Sequence, residues 1–234
     1  MNVGILLAAG ASRRMGRSKS LMRAGGETFL ARGVRHLWHA CDVVVVVLGS
    51  GARHMRHALE GEFVTLVERG ALHRDLMLAR RHGAAGLEVR IVENRAWRTG
   101  MLSSVRAGLA TALRLDPALV LVLPVDHPSV RPDTVRALAA AMGAALASYG
   151  APAARGRARR RPRRAVPGFA YALVPRYRRR RGHPVALSPA LARAIAADRG
   201  ASDLSDAMRR SARLVGFLDC GDSGVVRNRN TPRD

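Results

Sequence analysis

Asn2-Val3-Gly4-Ile5-Leu6-Leu7-Ala8 is a continuous apolar run that passes directly into Ala9-Gly10-Ala11-Ser12 and then the basic pair Arg13-Arg14. A run this long without polar alternation reads as a strand buried on both faces that ends in a glycine loop. Asp42–Leu48 repeats the pattern in nearly pure valine and closes on Gly49-Ser50-Gly51. Leu87–Val92 and Ala118–Leu123 are strands of the same kind. Helical spacings alternate with them over Thr28–Ala40, Arg53–Leu59, Leu102–Leu113 and Thr134–Ala147, the last with Pro132 and Asp133 at its start. Strands that alternate with helices, each strand apolar throughout, predict an α/β fold with a mostly parallel sheet covered on both faces. In such sheets ligands gather at the carboxyl ends of the strands. Those ends carry residues 10–19, 93–101 and 124–128, chemically the least ordinary parts of the chain.

The remaining elements are shorter. Phe63–Val67 reads as a short strand and Leu72–Arg81 as a helix. Beyond Gly150, residues 151–167 are rich in Ala, Arg and Pro and read as a solvated loop or disordered insertion. Phe169–Val174 and Pro184–Leu187 then resemble strands, and Pro189–Ala197 and Asp203–Arg210 helices. Leu214–Leu218 and Val225-Val226 complete the pattern as strands. No internal repeat is present. At 234 residues and 48% hydrophobic content, the expectation is one domain over 1–234 with an insertion at about 151–164.

The charge is strongly positive, +23, and 39 of the 40 basic residues are arginine. Lys19 is the exception. A lone lysine marks a place where a compact, mobile ammonium serves and a planar guanidinium does not. Residues 151–181 hold twelve arginines and no acid, so about half of the basic excess lies in one segment. Two cysteines without metal or scaffold spacing fit a reducing compartment. With no apolar run of transmembrane length and no basic region ahead of the first apolar one, the expected location is the cytoplasm, away from membranes.

Three segments point to phosphate chemistry. Around Gly10, small residues after a strand let backbone N–H groups approach an anion, and Arg14 and Lys19 add charge for a polyphosphate. Neither a P-loop nor G-x-G-x-x-G is present. The plainer reading is a surface turn with scattered arginines. Asn94-Arg95-Ala96-Trp97-Arg98-Thr99-Gly100-Met101-Leu102-Ser103-Ser104 leads into a helix whose start offers free N–H donors; its plainer reading has Ser103 or Ser104 as a cap. In Leu123-Pro124-Val125-Asp126-His127-Pro128, a carboxylate at a strand's carboxyl end is placed to hold Mg²⁺, against a simple Asp-x-Pro turn.

The first segment, Leu7-Ala8-Ala9-Gly10-x-Ser12-x-Arg14-Met15-Gly16-x-x-Lys19-x-Leu21, resembles the L-A-A-G-x-S-x-R-M-G-x-x-K-x-L string of MobA-like NTP transferases. It is most similar to the molybdenum-cofactor cytidylyltransferases, since guanylyltransferase relatives usually carry L-A-G-G. The other segments resemble the family's N-x-x-W-x-x-G-M-x-x-S and L-P-x-D-x-P. Arg181-Gly182-His183-Pro184-Val185 resembles its G-H-P-V element, and Asn228-Arg229-Asn230-Thr231-Pro232-Arg233-Asp234 its closing N-x-N-T-P-E-D. The resemblance runs from Leu6 to Asp234.

It implies a three-layer αβα Rossmann-like nucleotidyltransferase fold. It also implies that Leu7, Ala8, Ala9, Gly10, Ala11, Ser12, Arg14, Lys19, Gly100 and Ser104 bind the nucleotide, with Lys19 on the triphosphate. Asp126 and Asn228 would bind the metal, Mg²⁺, and His183 would face the acceptor. Arg14, Lys19 and Asp126 are the expected catalytic residues, CTP the favoured nucleotide and a molybdopterin-type phosphate the acceptor, with sugar or alcohol phosphates as alternatives. Arg229 and Arg233 depart from the family pattern, and Asn228 supplies an amide where many relatives have a carboxylate. Rival readings are a non-catalytic homologue and a basic nucleic-acid-binding protein. Net charge draws any polyanion, so nonspecific RNA association at low salt is expected through the arginine-rich segment. Its few aromatics argue against dedicated single-strand recognition.

Overall fold

The computed structural model describes residues 1–10, 19–62, 76–79, 87–150 and 169–229. The elements in chain order are β1 (Asn2–Ala8), β2 (Arg23–Ala24), β3 (Glu27–Thr28), α1 (Phe29–Trp38), β4 (Val43–Leu48), α2 (Ala52–Glu62), β5 (Leu76–Ala79), β6 (Leu87–Glu93), α3 (Met101–Ala112), β7 (Leu119–Pro124), α4 (Pro132–Gly150), β8 (Tyr171–Tyr177), β9 (Arg180–Arg181), β10 (Val185–Leu187), α5 (Pro189–Ala197), α6 (Leu204–Ser211) and β11 (Leu214–Asp219). The main sheet has the order β11-β8-β10-β7-β1-β4-β6-β5, with β9 on β8; β2 and β3 form a separate hairpin. β1 is central and parallel to both neighbours, Ile5 opposite Val45 of β4 and Val122 of β7. β4–β6 and β8–β11 are also parallel, whereas β10 runs antiparallel to β7 and β8.

The continuous apolar runs are explained by side-chain alternation within strands covered on both sides. Leu6, Val44, Val46, Leu121 and Leu123 point to one face, where they meet Leu30 and Leu37 of α1, Met55 and Leu59 of α2, and Leu138 and Met142 of α4. Ile5, Val45, Val47, Val120 and Val122 point to the other, against Leu102, Val105 and Leu109 of α3, Leu191 and Ile195 of α5, and Leu204 of α6. The α/β fold with a mostly parallel mixed sheet between helical layers is thus as expected. Local signals agree with it. Thr28 caps α1 by accepting from the Ala31 N–H at 3.1 Å, and Ser188 caps α5 by accepting from Leu191 N–H at 3.2 Å.

Three sequence expectations are corrected. The segment read as a helix over Leu72–Arg81 contains strand β5, antiparallel to β6. Leu, Met and Ala favour helix intrinsically, but four apolar residues beside an unpaired sheet edge take the ladder instead. Val225-Val226 belongs to a 3₁₀ turn, Ser223–Val226, because Asp222 accepts the Gly224 N–H and closes a tight turn. Neither Ser103 nor Ser104 caps α3; the residue ahead of its first turn is Gly100, with no side-chain cap. The readings for Phe63–Val67 and residues 151–167 lie outside the described residues. No helix among the described residues is long and apolar enough to cross a membrane.

One buried group makes stability depend on pH. His36 on α1 is 9% exposed and its Nδ1 has no hydrogen-bond partner. Burial, reinforced by nearby Arg32, pushes its pKa from 6.5 down to about 4. The unfolded chain therefore binds a proton that the native state refuses as pH falls through this window. Native stability is unaffected above pH 6.5 and declines from there toward pH 4. The decline from this residue is about 3 kcal/mol at the acid end. Urea midpoints measured between pH 7.5 and 4.5 should fall accordingly, and His36→Gln should flatten the slope; a parallel slope in the variant would refute the assignment.

Candidate active site

The carboxyl ends of β1, β4, β6 and β7 meet at one edge of the sheet. Backbone bonds fix their approach: Ser50 N–H to Ala9 O at 3.1 Å, Asn94 N–H to Leu48 O at 2.8 Å, and Val125 N–H to Leu7 O at 3.0 Å. Between them opens a cavity of about 250 Å³. Leu7, Ala9 and Gly10 form its floor at the end of β1. Lys19 and Ser20 close one side, Gly100, Met101 and Ser104 another, and Pro124, Val125 and Asp126 a third, with Trp97 beside them. Seven residues expected from sequence therefore share one cavity: Leu7, Ala9, Gly10, Lys19, Gly100, Ser104 and Asp126. Ala8 does not line it, because alternation along β1 turns its methyl to the opposite core. Ala11, Ser12 and Arg14 lie outside the described residues.

The start of α3 is shaped to meet a polar ligand. Gly100 has φ 114°, a conformation that side chains resist, and this lets the chain turn sharply into the helix. With no side-chain cap, the first-turn N–H groups remain available to an acceptor. Asn94, 6% exposed, organises the turn. Its amide donates to Ser103 Oγ at 2.8 Å and Ser104 Oγ at 3.0 Å, and its Oδ1 accepts from Ala96 N–H at 2.9 Å. Ser103 spends its hydroxyl on the Gly100 and Ala96 carbonyls. Ser104 accepts from Asn94 and so presents its O–H proton toward the cavity it lines.

Asp126 follows the last residues of β7. Its backbone carbonyl accepts the Arg229 N–H at 2.8 Å, which brings the end of the chain alongside. Asn228, one residue earlier, is exposed and does not line the cavity. The Asp126 side chain, 25% exposed, has His127 Nε2 at 3.9 Å from Oδ1. In a chain of 39 arginines, no guanidinium among the described residues pairs with it. A carboxylate left unneutralised at a cavity wall fits a hard divalent cation that takes its remaining ligands from phosphate and water. The described residues contain no cluster of three or more His, Cys, Asp or Glu groups able to form an all-protein cage.

Two histidines sit behind this wall, with ring centroids 4.9 Å apart. His127 hydrogen-bonds the Gly224 carbonyl, and burial holds it below the ordinary imidazole range. His183 hydrogen-bonds the Val122 carbonyl, and burial together with His127 pushes it down to about 3. His183 is therefore a neutral group at physiological pH. It lines a second cavity, of about 660 Å³, rather than the first. Met101 belongs to both.

The C-terminal turn that supports the histidines hangs on Asp222. This carboxylate is 3% exposed and accepts from Arg131 N–H, Thr134 Oγ1–H and Gly224 N–H, each at 2.8 Å. A Cβ at Gly224 would lie 2.1 Å from the Ser129 carbonyl oxygen, so only glycine permits this approach. Val225 O then accepts the His183 N–H at 2.9 Å. Sequence reasoning passed over Trp97, Met101 and His127, although each stood inside a motif already singled out. For Asp222 no local signal existed, because its partners are about 90 residues away in sequence.

Comparison with known proteins gives the same picture of the fold. The nicotine blue oxidoreductase of Paenarthrobacter nicotinovorans is 32% identical over 230 residues, covering 95% of this chain and 88% of its own. A Methanothermobacter nucleotidyl transferase superposes with a TM-score of 0.66 at 19% identity, covering all of this chain and 94% of its own. A Mycobacterium tuberculosis protein crystallised with manganese superposes with a TM-score of 0.58 at 21% identity, over 94% of this chain and 88% of its own. The sequence model of the MobA-like NTP transferase domain matches residues 4–214, and the chain belongs to that family.

Proposed function

We propose that the protein is an Mg²⁺-dependent nucleotidyltransferase that moves CMP from CTP onto a molybdopterin-type phosphate acceptor and releases pyrophosphate. The observation that carries this reading is the single cavity in which Gly10, Lys19, Gly100, Ser104 and Asp126 converge. Family membership supports the reaction class, and the manganese bound by a structural neighbour supports a divalent ion. Leu7-Ala8-Ala9-Gly10 supports cytidine over guanosine through the family resemblance.

The acceptor phosphate is already an anion, so the reaction requires no strong base. The chain's contribution is positioning and charge neutralisation. Backbone N–H groups beyond Ala9, with Arg14 and Lys19, hold the triphosphate. Gly100 and Ser104 meet the base: the free first-turn amides of α3 face its carbonyl and the Ser104 hydroxyl donates to it. Asp126, with the Asn228 amide as a weaker second ligand, holds the metal. Bound Mg²⁺ polarises the phosphates and offsets the charge that develops on the departing pyrophosphate. The acceptor enters from the His183 side. His183, neutral and buried, gives that wall its shape and carries no charge toward the acceptor.

A second reading comes from the name of the 32% identical relative, an oxidoreductase. In that reading the cavity around Gly10 holds a reduced dinucleotide, and the neutral Asn228 reflects a lesser need for metal. The two are separated by one pair of assays. Pyrophosphate release from the four NTPs, with molybdopterin and simple phosphate acceptors, should require Mg²⁺ and be greatest with CTP. Oxidation of NADH or NADPH with a quinonoid dye as acceptor should be absent; dinucleotide oxidation without any pyrophosphate release would replace the transferase reading.

Within the transferase reading, Asp126→Ala should abolish Mg²⁺-dependent pyrophosphate release, a loss of about a thousandfold or more. Lys19→Arg should lower kcat/KM by about tenfold or more despite the retained charge, because a guanidinium cannot occupy the place of a compact ammonium. Full activity in both variants would refute the mechanism.

A further inference from the structure

The second cavity is more than twice the size of the first and differs from it in chemistry. Its walls are Val174 of β8, Val185 of β10, Leu204 and Met208 of α6, and Val215 of β11. Few polar groups break this surface. Asp203 is already committed to capping α6, where it accepts the Asp206 N–H at 2.8 Å. His183 is buried and neutral. Ser205 is the one hydroxyl among the lining residues.

Two guanidiniums line the cavity, Arg181 and Arg209. They are not equivalent. Arg209 is paired with Asp206 at 2.6 Å. Arg181 has no acidic partner among the described residues; it lies over the Phe217 ring, 5.0 Å from its centroid. A ring face orients a guanidinium without cancelling its charge. Neighbouring Arg176, over the same ring at 4.6 Å, is by contrast neutralised by Asp219 at 2.9 and 2.7 Å. The exposed arginines 178–180 of the β8–β9 turn add to the positive field.

We infer that this cavity binds an organic anion with an apolar, aromatic body, and that Arg181 recognises the anionic group. A polyhydroxylated body is disfavoured, because its hydroxyls would lose water against valine, leucine and methionine and find almost no partner. Among the acceptors open to the enzyme, aromatic-bodied phosphates are therefore favoured over sugar phosphates. The inference rests on the nucleotide reading of the first cavity, which makes the second the seat of the molecule that meets the nucleotide across Met101.

The test uses the full chain and the dye 1-anilinonaphthalene-8-sulfonate. Its fluorescence should rise saturably with one site per chain. Arg181→Gln should weaken binding about tenfold, whereas Arg193→Gln should leave it unchanged. Arg193 controls for the loss of one charge, since it pairs with Asp116 beyond the other end of α3. 1-Naphthyl phosphate should displace the dye at a concentration at least tenfold lower than glucose 1-phosphate does. Dye affinity that Arg181→Gln leaves unchanged, or equal displacement by the two phosphates, would overturn the inference. CTP binding with Mg²⁺, measured separately by calorimetry, should persist in Arg181→Gln. Its absence from the unmodified chain would defeat the nucleotide reading, while the dye titration still decides the nature of the second ligand.

Discussion

The double hydrogen-bonding of β1 is the constraint from which the rest of the molecule follows. A strand paired in parallel on both sides has no free edge and no solvent face, so every side chain along it must be apolar. That requirement ends where the ladder ends. Past Ala8 the chain leaves the sheet, and its amides, no longer consumed by neighbours, are free for a ligand. The cavity at this edge is thus the geometric outcome of three parallel strands stopping together. Helix α3 completes it because Gly100 turns the chain back over the same edge.

Acids are scarce in this chain, 17 against 40 basic residues, and their placement divides their roles. Most of the exposed ones meet arginines: Asp219 with Arg176, Asp206 with Arg209, Asp198 with Arg210. Such surface pairs contribute little individually. Asp222 is different. Buried and saturated with donors from Arg131, Thr134 and Gly224, it ties the C-terminal turn to the loop after β7. Loss of one member from a buried network of this kind leaves unsatisfied groups and is costly. Asp126 meets no arginine among the described residues, and its carboxylate opens into the cavity instead.

Sequence made the layered architecture legible because long apolar strands admit few other readings. Val43–Leu48 and Leu119–Pro124 are too β-branched and too uniformly apolar to be surface helices. Leu76–Ala79 was not legible: four residues show no period, and their helix preference is overruled by the edge of β6, which is set by the fold as a whole. The same holds at the site. Gly10, Lys19, Gly100, Ser104 and Asp126 stood out by residue type and spacing. The burial of His127 and His183 against each other did not, since their adjacency arises from pairing β10 beside β7. Asn94 was part of a motif, yet its work of holding two serine hydroxyls becomes visible once β6 is laid beside α3.

Met101 has a further consequence as the shared wall of the two chambers. Its side chain is 49% exposed, unbranched and easily re-oriented. A partition of this kind is compliant: an oversized occupant on one side swings the thioether into the space on the other. Room available to each guest then depends on the bulk of its companion, so the pair are thermodynamically linked without any backbone rearrangement. Selectivity for either molecule is consequently a property of the ternary assembly and not of one chamber alone.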